Sequence, residues 1–387
     1  MPKVLVLDTN YAAGPIVQSL TEWGFDVWLC GSNPQDALAR GIPDRYLQFD
    51  YSNSSELLQT VERFKFEYVM PGCNDRSYRA CAAIASKVPL FGVDTLHTAD
   101  TLNSKQKFRD FAKQIGLPVP QRFEVDALPE WLGARVIVKP VDAFSGRGVR
   151  VVYSADRPEV ESAIKVAQSF SSTGNALVEE YIDGQLFSHS AFLVGGRVVK
   201  DFVVAEWGSA NPFVVDTSYV VRNFEQTRLD ELRGYATRIA DVLQLGDGLL
   251  HSQFILNDAG IFLVELTRRC PGDLYSELIQ TTTGFPYASA YAAPFVERSI
   301  EAVSAPDSGA LVLRHTLSVK EPVCFKAVSF RRSLAVQKYV QLSRTGDLVR
   351  ESPFGRIALM LLTAESEDEL SALRDRCLSR DLYDVLQ

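Results

Sequence analysis

Short apolar runs alternate with amphipathic stretches along the first hundred residues. Lys3–Leu7 (KVLVL) is a compact apolar run, and Gly14–Trp23 carries apolar side chains every three or four positions. Asp26–Cys30 and Tyr68–Met70 repeat the first pattern; Ser55–Phe64 and Arg76–Ala85 repeat the second. Alternating strand and helix signals predict a parallel sheet with helices on its faces. In such sheets ligands gather beyond the carboxyl ends of the strands. Asp8–Asn10 and Pro71-Gly72-Cys73-Asn74-Asp75 occupy those ends, although turn chemistry explains both stretches equally well.

Thr101–Ile115 reads as one capped helix, stopped by Gly116-Leu117-Pro118, and marks a module boundary. From Val136 to Glu206 short strands dominate, including the hairpin Phe187–Val194, Gly195-Gly196, Arg197–Val204. Arg228–Leu243 is a long amphipathic helix. It leads into two alternating runs, Ser252–Leu256 and Ile261–Leu266. Further strands follow Ala293. A closing helix spans Ser366–Ser379, with Ser366 and Glu369 at capping-box spacing. No repeat or low-complexity segment interrupts the 387 residues.

Composition narrows the function. The chain is 46% hydrophobic and 23% charged, as folded proteins are. Its net charge of −8 argues against a nucleic-acid surface, while a local cluster of Lys and Arg remains free to bind an anionic small molecule. No apolar run has the length of a membrane span. The start MPKVLVLDTN reaches Asp8 too soon for a signal peptide. The six cysteines form no CxxC pair and fit buried thiols in a reducing compartment. The expectation is a soluble cytoplasmic protein.

Three segments carry candidate chemistry. In VIVKPVDAFSGRGVRVV, Val136 to Val152, a β-branched strand delivers Lys139 to a loop holding Ser145, Gly146 and Gly148. Such glycines let backbone N–H groups approach an anion, and Lys139 would add a point charge for phosphate. There is no GxxxxGK[ST], and Val151 stands where a dinucleotide fingerprint needs its third glycine. A plain hairpin explains this segment about as well. In ALVEEYI, Ala176 to Ile182, an apolar run ends in Glu179 and Glu180: either an edge strand with solvated acids or a hinge whose backbone pairs an adenine edge. In the two runs after Arg228–Leu243, alternation places Gln253, Glu265 and Thr267 on one face, with Arg268 and Arg269 beside them. A hairpin alone accounts for that pattern; so does a Mg²⁺ site, because Mg²⁺ takes one or two protein oxygens and completes its shell with phosphate and water.

Taken in order, these segments resemble the ATP-grasp superfamily, in particular its carboxylate–amine ligases, over nearly the whole chain. NSKQKFRDFAKQIGLPVPQ (Asn103–Gln121), KPVDAFSGRGV, LVEEYIDG and the block GDGLLHSQF followed by VELTRRCPG carry the likeness. The resemblance implies an α/β and α+β architecture: an N-terminal parallel-sheet domain over residues 1–100, a small ATP-grasp subdomain over 101–185, and a large subdomain with a C-terminal extension over 186–387. It implies ATP and Mg²⁺, or Mn²⁺, as cofactors. Lys105, Lys139, Ser145, Gly146 and Gly148 would contact phosphates. Glu180 and Ile182 would hold adenine, and Glu179 is the stand-in for a ribose contact because Leu186 occupies the usual position. Gln253, Glu265 and Thr267 would bind metal, with Gln253 replacing the commoner Glu and Thr267 the usual Asn.

The activity implied is ligation. A carboxylate is activated as an acyl phosphate, an amine displaces the phosphate, and Lys139 and Arg269 stabilise the transferring group. Asn74, Asp75, Arg76, His251 and Arg269 are the candidates for meeting the small-molecule acid or amine, although helix capping explains Asn74 and Asp75 and a packed histidine explains His251. Cys270 reads as a buried thiol. A carboxylase-like enzyme and a nucleotide-binding protein without turnover are the alternatives. The family likeness is compatible with a homodimer, with no nucleic-acid or membrane partner.

Overall fold

The alternating N-terminal pattern yields a parallel sheet ordered Tyr46–Gln48, Asp26–Gly31, Lys3–Leu7, Tyr68–Pro71. The computed structural model describes residues 1–124, 128, 134–143, 146–300 and 309–387. Helices Gly14–Glu22, Ser54–Phe64 and Asp75–Ile84 follow the strands as expected. Asn53 and Asn74 cap the latter two by accepting from Glu56 N–H and Ser77 N–H.

Where one helix was expected over Thr101–Ile115 there are two, Leu96–Asn103 and Lys105–Gln114. Ser104 sits between them in an extended conformation, and its side chain caps the second. Serine competes with the helix for its own backbone, so the break falls there. The stretch read as mainly strands also contains the helix Arg157–Phe170, capped by Asp156 and buried through Val160, Ala163 and Ala167.

A small antiparallel sheet orders Arg150–Tyr153, Arg135–Pro140 and Ala176–Glu180. Val136, Val138, Val152 and Val178 pack on the helix Arg157–Phe170 to give it a core of its own. The main sheet has eight strands among the described residues, ordered Gly260–Thr267, Gly248–Asn257, Gln185–Val194, Arg197–Trp207, Thr217–Val220, Leu311–Leu317, Ala358–Ala364, Val336–Gln341. The strands Leu311–Leu317, Ala358–Ala364 and Val336–Gln341 thus continue the same sheet rather than forming one of their own. Gly195 and Gly196, both with positive φ, make the tight turn of the expected hairpin.

The N-terminal sheet is not isolated either. Ile16 and Leu20 share a core with Phe192, Tyr287, Tyr291 and Leu361 of the main body. That joint core fixes the carboxyl ends of the parallel strands against one end of the Gly260–Thr267 strand. The closing helix, Glu367–Ser379, begins at Ser366 as expected, but its return bond runs from Glu365 N–H to Glu369 at 2.8 Å rather than from Ser366. No helix among the described residues is long and apolar enough to cross a membrane.

Candidate functional site

Gln253 and Glu265 stand directly opposite each other on antiparallel strands. A bulge after Gln253 shifts the register so that Phe254 faces Leu263, which keeps the pair aligned at the open end. Glu265 keeps 43% of its side chain exposed and lies 3.6 Å from Lys105 Nζ. Lys105 also donates to the Ala143 carbonyl at 3.0 Å, linking its own helix, the segment that follows the strand Arg135–Pro140, and the hairpin. Gln253 Nε2 donates to Glu206 at 2.6 Å.

Glu206, on Arg197–Trp207, is almost fully buried and takes a second bond from Ser188 Oγ at 2.8 Å. Burial raises its pKa against the opposing pull of Ser188 and Arg314. Nothing in the sequence pattern singled it out; the one available signal was a lone acid inside the apolar run DFVVAEW. Glu265, the amide oxygen of Gln253 and nearby Glu206 form a hard-oxygen donor set. Among the described residues no three His, Cys, Asp or Glu side chains gather to hold a metal alone. The set therefore fits Mg²⁺ shared with phosphate oxygens, not an all-protein cage.

Lys139 is close enough to Lys105 to feel its charge. It pairs with Glu179, which is fully buried and also held by Arg109 at 2.6 Å. Burial lowers the Lys139 pKa to about 8, while Glu179 opposes the fall. Burial would raise Glu179, but Lys139 and Arg109 prevail and hold it low. Both oxygens of Glu179 are thus engaged, one with Arg109 and one with Lys139. Arg109 was not foreseen because it lies on the apolar face of its helix, beside Phe108 and Ala112.

The glycine loop is shaped by backbone. Gly146 and Gly148 have φ of 65° and 69°, and a Cβ on Gly146 would come 2.6 Å from the Phe213 carbonyl oxygen. Ser145 lies outside the described residues. At the hinge, Glu180 N–H donates to the Gln121 carbonyl at 2.8 Å and Tyr181 N–H to the Arg135 carbonyl at 3.2 Å, and Ile182 is buried. Leu186 pairs with Ile255 of the hairpin. Asn257 reaches back to the Asp183 carbonyl at 2.7 Å, fastening the hairpin turn to the hinge.

The substrate candidates divide. Asp75, the first residue of its helix, accepts from Thr267 Oγ1 at 2.8 Å and from Arg269 Nε at 3.0 Å. Burial would raise Asp75, but Arg269 and Thr267 lower it. Thr267 thus shares a strand face with Glu265 while its hydroxyl is engaged with Asp75. Asn74 caps the same helix and donates to Asp8 at 3.1 Å. Arg76 turns to Asp50 and Ser52, 2.9 Å from each. His251 is buried, bonded through Nδ1 to Ser190 Oγ at 2.9 Å, and burial lowers its pKa to about 3. Arg268 points inward to Asp94 at 2.7 Å and to the carbonyls of Leu249 and Gly246. Cys270 lies beside Cys73, whose thiol is pushed up by that neighbour and by burial.

One further cluster was not foreseen. Asp273 and Leu274 both have positive φ, 55° and 54°. The Asp273 carboxylate accepts from Tyr11 at 2.8 Å and from Arg356, and lies 3.8 Å from Arg314. These residues come from four separate stretches of the chain.

A model of the ATP-grasp domain matches residues 132–277. The carbamoyl phosphate synthase large chain of Thermomicrobium roseum is 27% identical over 210 residues, 52% of this chain and 19% of that one. That of Vibrio parahaemolyticus is 23% identical over 307 residues, 76% of this chain and 28% of that one. The chain thus spans less than a third of the curated relatives it matches. Among solved structures, an L-amino acid ligase from Bacillus licheniformis superposes with a TM-score of 0.79 at 18% identity, covering 100% of this chain and 98% of that one. A phosphoribosylglycinamide synthetase from Anaerococcus prevotii gives 0.74 at 16%, covering 100% and 99%. These two likenesses establish the fold.

Proposed function

We propose, from the match of residues 132–277 to the ATP-grasp domain, that the protein is an ATP- and Mg²⁺-dependent ligase joining a small-molecule carboxylate to an amine. The observation that carries the reading is the Lys105–Glu265 pair at 3.6 Å, with Lys139 near enough to feel the charge of Lys105 and the Asp75-anchored Arg269 near enough to feel that of Glu265. The domain limits 1–100, 101–185 and 186–387 are retained as functional modules, the third including the C-terminal strands of the main sheet.

Lys139 and Lys105 would bind ATP phosphates, and Gly146 and Gly148 would let the loop cover them. The Glu180 carbonyl and Ile182 backbone would read adenine. Glu265 and Gln253 would hold Mg²⁺, which supplies charge neutralisation at the phosphates when bound. The substrate carboxylate oxygen attacks the γ-phosphorus, the bond to the bridging oxygen breaks, and ADP leaves. An amine nitrogen then attacks the acyl carbon, losing a proton as phosphate departs. Arg269 stabilises negative charge in both steps, and no side-chain nucleophile takes part. His251, neutral and bonded to Ser190, orients the strand face rather than carrying a proton.

The test is ADP release by the purified chain with Mg²⁺ against a panel of acids and amines. Release that requires an acid and an amine together supports ligation. Release stimulated by bicarbonate without an amine supports a carboxylase-like enzyme. Nucleotide binding without release from any pair overturns the proposal in favour of a non-catalytic protein.

A further inference from the structure

We propose that Glu206 is a positioning residue for the divalent cation. It holds the NH₂ end of the Gln253 amide, so that the oxygen is the end left for the metal, and its carboxylate supplies the negative charge that glutamine lacks. The inference rests on the ligase reading, which brings Mg²⁺ to Glu265 and Gln253, and deepens it by saying how a neutral side chain serves as a ligand there.

Orientation is the first ground. A glutamine amide has a donor end and an acceptor end of nearly the same size, and its hydrogen bonds decide which way it turns. A hard cation takes the oxygen and is repelled by the NH₂. Gln253 Nε2 donates to Glu206 Oε2 at 2.6 Å, and a carboxylate accepts without donating, so the NH₂ end is committed. Among the described residues no donor reaches Gln253 Oε1. Gln253 stands opposite Glu265 on one side and opposite Ser188 on the other, so the four residues lie across three neighbouring strands and the one beyond.

Rigidity is the second. Glu206 Oε1 accepts from Ser188 Oγ at 2.8 Å, and Ser188 meets the Tyr275 hydroxyl at 2.7 Å. The Glu206 backbone carbonyl accepts from Gln185 Nε2 at 2.9 Å. Both carboxylate oxygens are engaged inside a nearly closed interior, so the group cannot turn without breaking a buried bond. Contacts of this kind behind a ligand fix its direction and tune its affinity for metal.

Charge is the third. Glu265 brings one negative charge to the hairpin pair, and Glu206 is near enough to feel it, with Arg314 offsetting part of the repulsion. Glu206 thus adds the second carboxylate one strand further in. The same contact accounts for glutamine at position 253. A glutamate there would set two carboxylates 2.6 Å apart in the interior, where like charges repel strongly.

Mn²⁺ binding to the full chain, with a non-hydrolysable ATP analogue bound, tests the idea; the readout is loss of the free Mn²⁺ paramagnetic resonance signal. Glu206→Gln lets either end of the new amide face Gln253, so Mn²⁺ affinity should fall by about 10-fold or more, as loss of a hydrogen bond to a charged group does. Affinity for the analogue without metal should stay within about 2-fold. Gln253→Glu alone should lower the melting temperature of the metal-free protein, because it opposes two carboxylates. Combining Glu206→Gln with Gln253→Glu keeps the hydrogen bond in the reverse sense and leaves a carboxylate facing the metal. That exchange should restore the melting temperature and return Mn²⁺ affinity to the wild-type value or above. A glutamate with a merely structural role would not give that rescue of metal affinity. Wild-type Mn²⁺ affinity in folded Glu206→Gln overturns the proposal. Where that variant fails to fold, the exchange decides, and affinity about 10-fold below wild type there overturns it as well. A wild type that binds no Mn²⁺ overturns both this inference and the ligase reading. Loss in Glu206→Gln and rescue by the exchange, in a protein that releases no ADP, sinks the ligase reading alone.

Discussion

Asp75 and Arg269 are joined by two hydrogen bonds, Nε to Oδ1 at 3.0 Å and Nη2 to Oδ2 at 3.3 Å. The first opens a helix of the N-terminal sheet region and the second lies two residues past the strand that carries Glu265. The contact sets where the guanidinium sits relative to the metal hairpin. Asp75→Asn would keep the shape and remove the charge, leaving Arg269 less fixed. Turnover should fall by about 10- to 100-fold, the range lost when one preorganised charge contact is loosened. Nucleotide affinity should stay within about 2-fold. Equal losses in nucleotide affinity and turnover would place Asp75 in nucleotide binding instead.

Lys139 must carry its charge to hold phosphate, and burial has brought its pKa to about 8. Affinity of the free protein for nucleotide should therefore drop as pH rises through about 8. Glu179 works against burial by favouring the ammonium. Glu179→Gln removes that support, so the drop should move to lower pH, with Arg109 left without its buried partner. Affinity measured from pH 6 to 10 for both proteins decides it; a midpoint that does not move would show that Glu179 does not set the lysine's charge.

Glu265 is the acid of the hairpin pair, with 43% of its side chain exposed, and is opposed by Lys105. Glu265→Ala should reduce Mg²⁺-dependent ADP release by at least about 100-fold, as loss of a preorganised charge-stabilising group does. Gln253→Ala should act less, since it leaves the carboxylate in place. Near-normal release by Glu265→Ala at ordinary Mg²⁺ would sink the metal assignment.

Much of this site was legible because its parts are local. Lys139 and the glycines lie on one short segment, and Gln253 and Glu265 lie on one hairpin, although it is a bulge between Gln253 and Phe254, not alternation, that sets them opposite each other. Glu206, Tyr11, Asp273, Arg314 and Arg356 escaped for the opposite reason. Each is an isolated polar residue, and only sheet order and the joint core bring them together. Glu179 was legible as an acid but not as the partner of Lys139, because that pairing depends on which strands of the small sheet are neighbours. The helix break at Ser104 was missed because the apolar stripe runs on across it.

His251 was a candidate for meeting the substrate, yet burial, with Arg269 adding to it, lowers its pKa to about 3. It is neutral throughout the working range. The pH profile of turnover should show no limb near 6.5 from this residue. Its folded pKa lies below the unfolded value, so the unfolded chain binds more protons between about 3 and 6.5. Stability should rise as pH rises across that window, and less steeply in His251→Asn. Denaturant midpoints at pH 4, 5, 6 and 7 provide the comparison.

Arg268 and Arg269 are adjacent but do different work. Arg268 is sealed against Asp94, whose carboxylate also accepts from Tyr78 at 2.6 Å, and it donates to the carbonyls of Leu249 and Gly246 at 2.8 and 2.7 Å. Removing one partner of such a buried pair leaves the other charged and unpaired, at a cost of about 3–5 kcal/mol. Arg268→Gln should therefore lower the unfolding free energy by that amount and deplete folded protein, while the remaining folded fraction binds nucleotide normally. Arg269→Gln, at a side chain that is part exposed, should change stability little and abolish ADP release. The order reverses if Arg268 is the group that meets the transferring phosphate. Unfolding curves and ADP release on the two variants side by side separate the anchor from the reacting site.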